Sequence, residues 1–260
     1  MNRLRFVSVV CGGVFIGCVG VASFAKPPAA PTKPAVAQGA KEALPSGDSI
    51  MKKYVDAIGG AAWAKINTMT GSGTVSVASQ GVEGTFTMAA KAPAKIVLKQ
   101  SIGSLGESTM ATDGTTAWST DPFTGTRTLA GPELTQITTQ AVMGLRPDQW
   151  KTVYTKAETL GVEKVNSAPA YKVRLTTKSG ETSLQYFDVK SGLQVRTDET
   201  VISPQGKLPV TSYYADYRVQ QGVKMPYSVK QVMGPAEVQT LIKDVKFNVP
   251  VDDTQFAQPK

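Results

Sequence analysis

Histidine is absent from the 260 residues, and the only two cysteines, Cys11 and Cys18, lie in one apolar stretch near the N-terminus. Those absences exclude imidazole acid–base catalysis, His-containing triads and His-ligated zinc, and leave the body of the chain without thiol chemistry. Any chemistry must come from carboxylates, hydroxyls or lysines. The best-placed carboxylates are Asp216, flanked by Tyr214 and Tyr217, then Asp188 after Phe187, and the pair Asp252-Asp253. None stands at a spacing that a mechanism demands. Asp188 precedes a turn and Asp252-Asp253 falls near the C-terminus, where turn and capping chemistry account for them. Gly71-Ser72-Gly73 and Gly103-Ser104-Leu105-Gly106 match neither a nucleophile elbow nor a phosphate loop leading into a helix. No catalytic residue, metal ligand or cofactor motif is assigned, and a binding function is expected rather than an enzymatic one.

Residues suited to hold a lipophilic molecule are better represented. Between Val223 and Met233, the positions Val223, Met225, Tyr227, Val229 and Met233 share one face, and Lys224, Ser228 and Lys230 share the other. The first face is expected to look inward and the lysine-bearing face to look at water. Methionine repacks readily and tyrosine carries a polar tip on an apolar body. Met225, Tyr227 and Val229, with Phe86, Met88, Trp118, Leu184 and Tyr186 from other segments, are therefore the candidate lining of a cavity. Each of them also suits plain core packing.

These residues need strands to position them, and the turn chemistry supplies the punctuation. Gly180 to Phe247 reads as an antiparallel meander: Thr182–Asp188, Leu193–Val201, Val210–Val219, Val223–Met233 and Val238–Val249, separated by Ser191-Gly192, Pro204-Gln205-Gly206, Gln221-Gly222 and Gly234-Pro235. Upstream, Gly73–Val77 and Val82–Ala89 form a hairpin about Gln80-Gly81. Lys95–Gln100 follows the turn Ala92-Pro93-Ala94, and Gly103–Thr112 and Thr115–Thr120 pair about Asp113-Gly114. Asp121–Arg127 reads as a loop. Helical spacing marks Ile50, Met51, Tyr54, Val55 and Ile58, capped by Asp48-Ser49 and stopped by Gly59-Gly60, with a further turn over Ala61–Ile66. It recurs at Leu134, Ile137, Ala141 and Val142 behind Pro132, and over Pro147–Tyr154. With strands at Ala157–Val165 and Ala170–Thr177, the layout is helix, five strands, two helices and about six more strands, an α+β plan with helices on one face of a large antiparallel sheet.

The N-terminus has its own logic. Basic Arg3 and Arg5 precede the apolar run Phe6–Phe24, and Ser23-Phe24-Ala25 is a small-x-small site, so residues 1–25 are expected to be a secretory signal peptide. Phe15-Ile16-Gly17-Cys18 also fits a loose lipobox, which would lipidate Cys18, but the apolar run continues past it. Residues 26–47, dense in Pro and Ala, read as a disordered linker, leaving 48–260 as one domain. Lys and Arg number 28 against 20 for Asp and Glu. The excess is mild and scattered, so no nucleic-acid partner is expected.

Several of these stretches together resemble a known family: Tyr54-Val55-Asp56-Ala57-Ile58-Gly59-Gly60, the Gly81–Pro93 hairpin ending in Lys91-Ala92-Pro93, and Asp113-Gly114-Thr115-Thr116-Ala117-Trp118-Ser119. To these are added Tyr186-Phe187-Asp188 with Gly192-Leu193, Tyr214–Tyr217, Gly222-Val223-Lys224-Met225-Pro226, and Asn248-Val249-Pro250 to Phe256. In order and spacing the set resembles the LolA/LolB-like, outer-membrane lipoprotein-sorting superfamily from Ser49 onward, and a secreted branch of it more than the lipoprotein carrier itself. The resemblance implies a half-open, unclosed antiparallel β-barrel of about eleven strands, with helices covering the concave face and an apolar cavity for acyl chains. It implies a periplasmic carrier without a cofactor, whose partners are a lipid or acylated lipoprotein and a transient membrane-protein partner. An envelope lipid sensor or protein-docking module is the alternative on the same fold. Arg174 and Arg196 lie in strands, but no motif marks either as a cavity arginine.

Overall fold

Thirteen strands, where about eleven were expected, form one unclosed antiparallel sheet. The computed structural model describes residues 6–11, 14–19, 43–103, 106–203 and 206–259. The cleavage site Ser23-Phe24-Ala25, most of the 26–47 linker and the Pro204-Gln205 turn lie outside the described residues. In the N-terminal apolar stretch, β1 (Phe6–Cys11) and β2 (Val14–Val19) pair antiparallel with each other as a separate two-stranded ribbon.

Helix α1 (Gly47–Ala57) comes next, and its cap is Ser46 rather than Asp48-Ser49: the Ser46 hydroxyl accepts from the Ser49 N–H at 3.2 Å. Asp48 instead occupies the first turn, where the helix dipole favours a carboxylate. The helix stops at Gly59, whose φ of 123° suits glycine. A Cβ there would also lie 2.5 Å from the Gly222 carbonyl oxygen. The Lys224 N–H donates to the Ile58 carbonyl at 2.7 Å, so this helix end is stitched to a hairpin far along the chain. A 3-10 turn over Gly60–Lys65 then buries Trp63, as the spacing predicts.

From the middle of the sheet the chain runs outward through β3 (Thr68–Val77), β4 (Val82–Lys91), β5 (Lys95–Ile102), β6 (Gly106–Thr112), β7 (Ala117–Asp121) and β8 (Gly125–Leu129). It crosses by α2 (Pro132–Leu145) and a 3-10 turn (Pro147–Thr152) to the other edge. It returns inward through β9 (Tyr154–Val165), β10 (Ala168–Thr177), β11 (Thr182–Asp188), β12 (Gln194–Ser203), β13 (Gly206–Gln220), β14 (Val223–Met233) and β15 (Ala236–Phe247). β15 then pairs with β3, joining the two meanders into the order β8-β7-β6-β5-β4-β3-β15-β14-β13-β12-β11-β10-β9. β8 is the strand that the expected loop over Asp121–Arg127 concealed. Asp121 accepts from the Phe123 and Thr124 N–H groups, each at 2.8 Å, which folds the segment into a tight turn and returns the chain as a strand.

The topology requires curvature. At about 4.8 Å per strand, a flat sheet of this order would be roughly 60 Å wide. The link from Leu129 to Tyr154 is mostly helical and reaches about 45–50 Å when laid in line. It joins the two edges, so the sheet must coil. Helix α2 packs on β4, β5, β6 and β12, and α1 on β9 and β10. The main core lies between helices and sheet and includes Phe86, Met88, Leu98, Ile137, Leu145, Tyr214, Tyr227 and Val229.

Candidate functional site

Helix α2 carries two stripes. Leu134, Ile137, Ala141 and Leu145 pack into the main core. Beside them Thr135, Gln136, Thr139, Gln140, Met143 and Gly144 recur at helical spacing and line a cavity of about 150 Å³. Its opposite wall has two parts. Tyr54, Ile58, Trp63, Met69, Tyr214, Tyr217, Met225 and Pro226 form an aromatic and aliphatic part, while Ser183, Gln185, Gln194, Thr197 and Glu199 form a polar one.

The polar part is held rigid by its own hydrogen bonds. The Gln194 amide donates to the Gln185 Oε1 at 3.0 Å and to the Thr197 hydroxyl at 2.9 Å, and the Tyr217 hydroxyl donates to the Gln194 carbonyl at 2.7 Å. Gln185 Nε2 stands 3.5 Å from the Tyr154 hydroxyl. Burial pushes the Tyr54, Tyr154 and Tyr217 hydroxyls far above the usual phenol range, and for Tyr154 the nearby Glu199 charge adds to it. All three phenols stay protonated and serve the cavity as neutral donors and acceptors.

Of the eight expected lining residues, Met225 alone borders this cavity. Phe86, Met88, Tyr227 and Val229 are buried in the main core, with Met225 packed against them. Trp118 belongs to a separate cluster with Val97, Ala111, Val251 and Phe256, and its indole N–H donates to the Phe256 carbonyl at 2.9 Å. The C-terminal segment therefore takes up its aromatic surface. Leu184 and Tyr186 lie in another cluster, with Val165, Val195 and Tyr213. In β11 the faces are the reverse of those expected from polarity: Gln185 meets the cavity, while Phe187 packs on Tyr54 with ring centroids 5.2 Å apart. Tyr186 is buried instead under Arg196, 4.8 Å from its ring, and its hydroxyl donates to Asp198 at 2.9 Å. Lys224, expected to look at water, also lines the cavity. The signal for the missed residues was the Thr/Gln stripe along α2 and the glutamines in β11 and β12, polar residues at positions that the fold encloses.

The carboxylates weighed for catalysis have structural partners, and none lines the cavity. Asp216 holds Arg218 in a fork, Asp188 caps the Ser191 turn, Asp252 caps the last 3-10 turn, and Asp253 bridges Lys91 and Lys95. Among the described residues no group of three or more Cys, Asp or Glu is placed to hold a metal ion, and no helix is long and apolar enough to cross a membrane.

No protein-family model and no curated protein sequence matches the chain. Its fold, however, is shared with solved structures. A DUF1329 family protein from Desulfovibrio piger superposes with a TM-score of 0.57 at 10% identity, over 82% of this chain and 98% of that one. A LolA superfamily protein from Nitrosomonas europaea gives 0.56 at 14% identity, over 83% and 99%. An outer membrane lipoprotein-sorting protein domain from Vibrio parahaemolyticus gives 0.52 at 11% identity, over 81% and 95%. The chain thus has the LolA-like fold that its turn motifs resembled.

Proposed function

We propose that the protein is a periplasmic carrier that shelters a lipophilic ligand, a lipid or the acyl chains of a lipoprotein, between α2 and the concave face of its sheet. The observation that carries this reading is the cavity itself, enclosed by one stripe of α2 and floored by Tyr54, Trp63, Met69, Tyr214 and Met225. Burying apolar ligand surface on such a floor gains about 25 cal/mol per Å². The shared fold with a lipoprotein-sorting domain supports the reading at the level of architecture. A transient membrane-protein partner would deliver or receive the cargo.

Gently purified mature protein is expected to release lipid on organic extraction, detected by mass spectrometry, and to bind the neutral dye N-phenyl-1-naphthylamine with a fluorescence increase. A delipidated protein that binds neither dye nor acyl probe would refute the reading. Lipid exchange between donor and acceptor vesicles then separates a carrier from a sensor on the same fold, since only the carrier speeds transfer.

A further inference from the structure

Resting on that reading, we infer that Lys224 anchors the head of the ligand and that this head is an anion, a carboxylate or a phosphate, with the chain running from it over the aromatic part of the wall. Among the described residues Lys224 is the one basic residue that lines the cavity. Its place is fixed, because its backbone N–H donates to the Ile58 carbonyl at 2.7 Å, where α1 has ended and β14 begins. The same carbonyl accepts from the Trp63 indole N–H at 2.9 Å, so the lysine and an aromatic part of the wall meet at one atom. Lys224 is half-buried, and among the described residues its ammonium has neither a carboxylate nor a hydrogen-bond partner.

The other polar groups of the wall are engaged. Gln194 holds Gln185, Thr197 and Tyr217 together, Glu181 accepts from the Thr177 and Ser179 hydroxyls, and Glu199, Gln136 and Gln140 have partners of their own. Glu181 also stands far from Lys224. It lies in the turn between β10 and β11, whereas Lys224 follows the turn between β13 and β14, and successive hairpin turns of a meander alternate between the two ends of a sheet. An ammonium beside an apolar wall has given up part of its hydration, so a counter-ion that brings charge-assisted hydrogen bonds restores what burial removed. An amphiphile supplies both halves of that match: its anionic head meets the lysine while its chain covers Trp63, Met69 and Tyr214.

The test displaces N-phenyl-1-naphthylamine with octanoate, octyl phosphate and octanol at neutral pH, below their aggregation limits. Lys224→Met is expected to weaken octanoate and octyl phosphate about tenfold relative to octanol, the scale of one hydrogen bond to a charged group. Lys224→Arg, which keeps the charge, is expected to retain most of that preference. The anion that loses more names the source of the head, a free fatty acid for octanoate or a phospholipid for octyl phosphate. Should Lys224→Met fail to fold, the parent protein carries the test: raising salt from about 10 mM to about 1 M is expected to lower the affinity of both anions relative to octanol. A folded Lys224→Met that weakens all three ligands equally, or none, would overturn the inference, as would a parent whose anion-to-octanol ratios ignore salt, and these outcomes leave the binding reading standing. If the dye and all three ligands fail to bind, the binding reading falls and this inference with it.

Discussion

Asp113 opens the turn between β6 and β7, and its carboxylate is surrounded by donors. It accepts from the Thr115 and Thr116 N–H groups at 2.8 and 2.7 Å and from both threonine hydroxyls at 2.8 and 3.0 Å. Burial works to raise its pKa, but these four hydrogen bonds prevail and hold it at about 2, against an ordinary value of 3.8. Because the folded value is the lower one, the stabilisation is complete above about pH 4 and drains away as the pH falls towards 2. Asp113→Asn is therefore expected to lower stability by about 1–2 kcal/mol near neutral pH, with the gap to the parent protein closing by about pH 2. Urea titrations across that range measure it, and a gap that does not change with pH would contradict the assignment. This turn was legible because Asp-Gly chemistry is local. The neighbours Gln185 and Tyr186 were not, because alternation says that two faces exist and leaves polarity to say which is inside. Here polarity misleads: Arg196 and Lys172 cover the Tyr186 ring from outside, and the enclosed Gln185 finds its partners in Gln194 and Tyr154.

Elements were easier to read than faces. Strand β14 occupies the expected span, and β3 shows the strict alternation that period-two patterning demands. Missing was the pairing of β3 with β15, since partners nearly the whole domain apart leave no local trace. That seam depends on Gly73, opposite Ile242. A Cβ on Gly73 would lie 2.0 Å from the Leu241 carbonyl oxygen and 2.7 Å from Phe86 Cε1, far inside contact distance, so strand and aromatic core would both have to move. Gly73→Ala is expected to cost about 3 kcal/mol or more, a fall in Tm of roughly 6–12 °C for a domain of this size. Gly144→Ala provides the contrast. Its Cβ would meet nothing within 4 Å, and alanine favours the helix by about 1 kcal/mol, so Tm is expected to rise. Thermal melts followed by circular dichroism decide both, and an unchanged Tm for Gly73→Ala would mean that the seam is looser than its geometry implies.

At the scale of the molecule, the centre-out and edge-back path leaves β8 and β9 as edges of the sheet. β8 is a short strand of five residues, and β9 carries Lys156, Glu158, Glu163 and Lys164 among its exposed or half-buried residues, both of which discourage edge-to-edge association. The space left between α2 and the sheet sets the capacity of the site. A cavity of about 150 Å³ is the size that holds one small ring and falls below the usual 300–1,000 Å³ of small-molecule clefts. A short alkyl chain fits the space as it stands, whereas a long acyl chain fits only if the Thr/Gln stripe of α2 separates from β12. Two regimes follow for a series of straight-chain alcohols from butanol to dodecanol. While the cavity fills, each added methylene is expected to raise affinity about fourfold, the equivalent of about 0.8 kcal/mol of burial. Once it is full, the slope is expected to fall, because further burial must offset the packing that α2 gives up as it leaves the sheet. Hydrogen exchange at α2 amides is then expected to quicken with the longer alcohols alone, which ties the change in slope to that helix. A constant slope across the series without any change in α2 exchange would place the chains on the outer surface, where length is unlimited and no wall has to move.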